Sequence, residues 1–272
     1  MQRALRNHAR SVRRPCRCNR RPGRRSPLRR SRGRRGAAAP EVRPRRVRRR
    51  LRGGRPGPNA SPPRANPLSF GSADLADAVV DRLEGALCVA GAVDAEKAVV
   101  RADADRRSGG DDPRAFCEQP RRVAARGAAR DVEVVVENFG HRDRGFDLDA
   151  VGEALADCEA AMCFDVAHAY AEGGNDAIDD FLGSYADLVS HLRVHDARSC
   201  GDGHLPVGAG AVDLDLVVDR LTTAGFDGTV AVEAFADDLA LCVDSLRRTR
   251  AAFERSGWRS DSAVRPQTRP VE

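Results

Sequence analysis

Apolar positions change their spacing near residue 130. From Val132 onward, short apolar runs of strand length alternate with longer segments whose apolar residues recur at helical spacing. The pattern predicts strands over 132–136, 161–164, 191–194 and 229–232, and helices over 147–158, 175–188, 212–224 and 237–255. Strands alternating with helices of this length argue for a parallel α/β fold. Upstream, Ala73–Leu83 reads as a helix and Gly85–Val89 as a short buried strand. Residues 101–119 are polar and rich in Gly and Asp, so loop, and 120–130 reads as a helix. Residues 1–66 have hardly any apolar positions and cannot bury enough surface to offset chain entropy, so they read as a disordered arm. The expected organisation is therefore an arm over 1–66, an α/β body over 70–258 and a flexible tail over 259–272.

Charge divides the chain at the same place. Residues 1–70 hold 24 of the 46 basic residues and a single acid, Glu41. The other 202 residues carry 22 basic and 39 acidic groups, a net of −17, and Lys97 is the only lysine. An acidic body poor in lysine resembles proteins of salt-loving organisms, where self-repulsion among carboxylates is screened. Clustered arginines neutralise phosphate, so the arm is the one segment suited to nucleic acid. No aromatic residue precedes Phe70 to stack on bases, however, and a segment so unlike the body also reads as non-native coding sequence. No apolar stretch reaches the roughly 18 residues of a membrane helix, and the basic N-terminus lacks a signal peptide's apolar core. The eight cysteines, none of them in CxxC spacing in the body, read as free thiols in a reducing cytoplasm.

Candidate chemistry lies where the four strands end. Glu137 ends the first, Asp165 the second with His168 three residues on, His191 and His195 flank the end of the third, and Glu233 ends the fourth. One acid after a strand is explained by helix capping; four ligand-type residues in succession, two of them Glu, are not. In a closed barrel these ends converge on one mouth, and carboxylates with imidazoles suit a divalent ion such as Mn, Mg, Co or Zn. Asp202 and His204 lie in a glycine-rich loop, Gly201–Gly210, where glycines allow close approach of the backbone to a ligand.

The segments VVVENFG, CFDVAHAY, HLRVHDARSCGDGHLPVGAGAVD and GTVAVEAF, in this order and spacing, resemble the xylose isomerase-like (β/α) barrel superfamily, which includes sugar phosphate isomerases, epimerases and endonuclease IV-type enzymes. The resemblance covers about half the chain and implies its C-terminal half-barrel. It implies a metal held by Glu137, Asp165 and Glu233, with His168 as a second-metal or substrate residue and Asp202 and His204 as a pair for a further metal. The implied reaction moves a proton alpha to a carbonyl in a sugar or sugar phosphate, with Glu137 and Glu233 on opposite sides.

Two departures stand out. The family histidine three residues before the Asp of a pattern like HLHLHD is here Arg193, whose guanidinium cannot ligate a cation. His191 and His195 share its face of the strand, each displaced by about 6 to 7 Å, and are the substitutes on offer. The family's early strands have no counterpart among the strands predicted here beyond the one near Leu87, so the barrel is expected to be incomplete on its N-terminal side. Two alternatives follow: an inactive remnant of such an enzyme, and a phosphodiesterase acting on abasic DNA.

Overall fold

The computed structural model describes residues 59–60, 73–103, 113–139, 145–198 and 201–258. Apart from Asn59 and Ala60, the expected arm lies outside the described residues, as does the tail over 259–272.

Six parallel strands form one sheet, in the order β1 (Asn59–Ala60), β2 (Lys97–Arg101), β3 (Glu133–Glu137), β4 (Ala161–Asp165), β5 (Val189–Val194) and β8 (Thr229–Val232). A small antiparallel hairpin, β6 (Asp196–Arg198) and β7 (Gly201–Leu205), is inserted between β5 and β8. Helices α1 (Ala73–Ala92), α2 (Pro113–Ala128), α3 (Leu148–Asp157), α4 (Val166–Tyr185) and α5 (Leu214–Thr223) form the connections and α6 (Leu239–Arg255) follows the last strand, each packed on the next. The result is an arc of parallel strands backed by helices, the layout of a half-barrel.

Strand alternation sorts side chains onto two faces. Val134, Val136, Met162, Phe164, Leu192 and Val194 point outward and join Val80, Leu83, Leu87, Phe116, Ile178 and Phe181 from the helices in the main core. Val99, Val135 and Cys163 point inward and make a small second layer. Glu137, Asp165 and Arg193 share the inward parity of that layer, at the carboxyl ends of their strands.

Three local expectations are corrected. Gly85–Val89 is not a strand but part of α1, because Val80, Leu83, Leu87 and Ala90 keep one helical face buried straight through it. The strand lies further on, at β2, where the charged ends Lys97 and Arg101 mask a run of only three apolar residues. Helix α2 begins inside the segment read as loop, at Pro113, where a proline's fixed φ costs nothing at a first helical position; Pro120 sits within the helix. The helix expected over 175–188 is the second part of α4, whose first part starts at Val166 and is interrupted by non-helical backbone at Gly173 and Gly174.

Candidate metal centre

Each functional side chain is placed by a strand end and a neighbour that holds it. Asp165 ends β4 and caps α4: its Oδ1 accepts from the backbone N–H groups of Ala167 (3.1 Å) and His168 (3.0 Å). That cap orients the first turn, so His168 returns over the site. His168 Nδ1 lies 2.9 Å from the Asn138 carbonyl oxygen, which makes Nδ1 the protonated nitrogen. Asn138 also accepts from the Asp165 N–H (2.7 Å) and donates to its carbonyl (3.0 Å), tying the end of β3 to the end of β4. His195 Nε2 lies 3.1 Å from Asp165 Oδ2 and 3.0 Å from Oδ1.

Asp165, His168 and His195 are all buried, and each brings a potential ligand atom within 4.8 Å of the others. Burial raises the Asp165 carboxyl, but His168 and His195, with the backbone donors, outweigh it and hold the group at about 2. Asp165 is therefore ionised at neutral pH. A buried carboxylate beside two imidazoles is a donor set that fits a divalent transition ion.

Glu137 and Glu233 are turned toward a different cation. Arg193 Nη1 lies 2.9 Å from Glu137 Oε1 and 3.3 Å from Glu233 Oε2, and Arg101 Nε lies 3.5 Å from Glu137 Oε2. Burial works against the Arg193 charge, but the carboxylates of Glu137, Glu233 and Asp165 more than restore it. Glu137 is raised from the usual carboxylate range because burial outweighs the favourable charge of Arg193. His168 Nδ1 stands 3.7 Å from Glu137 Oε1 and 3.7 Å from Asp165 Oδ2, linking the two groups.

Of the other predicted residues, His191 is engaged elsewhere and His204 packs against the Asp165–His168–His195 group. His191 bonds through Nδ1 to Thr229 Oγ1 at 2.7 Å, and burial with the charges of Arg193 and Lys97 drives it down to about 3. His204 stacks between His195 (ring centroids 4.2 Å) and Phe235 (4.3 Å), with its Nδ1 3.2 Å from the Glu233 carbonyl oxygen. Asp202 lies on β7. The glycine-rich loop closes on a protein carboxylate: Asp196 accepts from Gly208, Val212 and Ala197 N–H groups, and a Cβ at Gly210 would meet Asp196 Oδ1 at 2.2 Å. Sequence reasoning missed Asn138 and Arg101. Asn138 had a signal, an amide directly after a strand-end Glu; Arg101 had none while its strand went unseen.

A family model described as a xylose isomerase-like TIM barrel matches residues 55–258. An uncharacterised protein of Methanocaldococcus jannaschii is 29% identical over 92 residues, which are 33% of this chain and span only 31% of that protein. Among solved structures, a D-tagatose 3-epimerase-like protein superposes with a TM-score of 0.60 at 17% identity, over 73% of this chain and 78% of its own. The IOLI protein, solved with a zinc atom bound, superposes with a TM-score of 0.51 at 14% identity, over 73% of each chain. At these identities the structural likenesses speak for the fold.

Proposed function

The chain belongs to the xylose isomerase-like TIM barrel family, and from that premise we propose that it is a metal-dependent isomerase or epimerase of sugars or sugar phosphates. The observation that carries the reading is the buried Asp165–His168–His195 group set beside the Glu137/Glu233 pair at the carboxyl ends of successive strands. Asp165, His168 and His195 would hold the ion; imidazole-rich ligation favours Zn, Co or Mn over Mg. When bound, such an ion polarises a carbonyl oxygen and stabilises the negative charge that develops on it.

The protein groups do the rest. Glu233, the more accessible carboxylate, removes the proton alpha to the carbonyl. Glu137, at the end of β3, is the group that returns a proton from the opposite side. Asn138 fixes Asp165 and the tautomer of His168. The epimerase-like structural neighbour supports a sugar as substrate.

The test is solvent exchange. Ketoses and their phosphates, incubated with the protein and Zn²⁺ or Mn²⁺ in deuterated water, should take up deuterium at the carbon next to the carbonyl. Glu233→Gln should slow uptake by roughly 10²–10⁴-fold. Absence of exchange from a protein with metal bound would instead support the second reading, an inactive remnant, which is favoured by the engagement of both glutamates with Arg193.

A further inference from the structure

Arg193 is level with Asp165 on one side and Ala231 on the other, in the middle of the three-strand segment that carries the site. Its guanidinium is within ion-pair distance of one carboxylate from β3 and another just after β8. Glu233 Oε2 is buried and accepts no hydrogen bond among the described residues, where the charge of Arg193 compensates it. Arg101 takes the remaining oxygen of Glu137. A guanidinium is planar, permanently charged and donor-only: it can bridge carboxylates but cannot share them with a metal ion pressed against it.

We propose that Arg193 is the resident cation of this site. It holds Glu137 and Glu233 together where a divalent ion would otherwise bridge them, and it confines any bound ion to Asp165, His168 and His195. Arg193 is thus a positioning residue for the glutamate pair, and the geometry of that pair is independent of metal. The inference rests on the reading of Asp165, His168 and His195 as a metal site, and its test separates the two.

Calorimetric titration of Mn²⁺ and Zn²⁺ into metal-stripped full-length protein reads both. Asp165→Asn should weaken binding by about tenfold or more, whereas Glu233→Gln should leave it within about threefold. Arg193→His frees Glu233 and the Glu137 oxygen that Arg193 holds, and adds a ligand, so binding should tighten by at least about tenfold. In that background Glu233→Gln should now abolish the gain. Loss of affinity in Glu233→Gln alone, or a gain in Arg193→His that survives Glu233→Gln, would overturn the inference. Should Arg193→His fail to fold, the Glu233→Gln comparison in the native background decides it. If the native protein binds neither ion, the metal-site reading fails; a gain of binding in Arg193→His then still supports the inference, and no gain overturns it.

Discussion

Two histidines four residues apart show how much a side chain's surroundings decide. His195 meets an ionised Asp165, whereas His191 meets a hydroxyl and two positive charges, Arg193 and Lys97. Lys97 is itself held by Glu133 and Ser190. His191 is therefore neutral in the fold and titrates at about 3, against about 6.5 in an unfolded chain. The folded value is the lower one, so its contribution to stability is complete above about pH 6.5 and is lost as pH falls toward 3, because the unfolded chain takes up the proton first. The slope approaches 1.4 kcal/mol per pH unit, about 2 kcal/mol between pH 6.5 and 4.5. Urea unfolding at those two pH values should show His191→Gln losing less stability than the native chain by about that amount. Equal losses would mean that His191 is solvated. The sequence showed His191 and His195 as equivalent candidates because they share strand parity; only the neighbouring strand ends, Thr229 on one side and Asp165 on the other, separate them.

The four strands and their helices from β3 onward were legible because β-branched runs and helical spacing agree with the tertiary fold there. The clustering of the strand-end carboxylates and imidazoles was legible for the same reason: a parallel sheet brings consecutive carboxyl ends to one rim. Gly85–Val89 misled because five residues cannot distinguish a buried strand from one buried turn of a longer helix. The glycine-rich loop misled in another way. Its glycines do permit a close approach, but to Asp196, which gathers the N–H groups of Ala197, Gly208 and Val212 and so fastens the β6–β7 hairpin above the site. A methyl group at Gly210 would sit 2.2 Å from Asp196 Oδ1 and 2.3 Å from the Ala197 carbonyl oxygen. Gly210→Ala should therefore cost roughly 2–3 kcal/mol by displacing a buried carboxylate from its donors. A thermal midpoint lowered by about 4–12 °C is expected for a body of this size; an unchanged midpoint would mean the loop moves aside freely.

For the molecule as a whole, charge rather than packing sets the next expectation. Among the described residues the main core runs from Val80 to Phe253, and residues 1–54, with hardly any apolar positions, are expected to add nothing to it. Removing them takes away 22 arginines and Glu41 and turns a net +6 into −15. Two electrostatic effects then compete as salt is added. Exposed pairs such as Arg220–Asp179, Arg255–Asp215 and Arg126–Asp81 are weakened, but each contributes only about 0–1 kcal/mol. Repulsion among the excess carboxylates is weakened too, and it is the sum of many terms. Even if every remaining basic group took one carboxylate, 15 would be left over. The Debye length falls from about 10 Å at 0.1 M salt to about 3 Å at 1 M, short enough to uncouple neighbouring surface acids. Repulsion should win, so a chain lacking residues 1–54 should melt at least about 2–4 °C higher in 1 M than in 0.1 M potassium chloride, which is on the order of 1 kcal/mol. In the full chain the arginines offset part of the negative field, so the same step in salt should raise the midpoint less. A midpoint that falls with salt in the shortened chain would show that the ion pairs, not the unpaired acids, govern stability, and would remove the basis for reading the acidic surface as an adaptation to high salt.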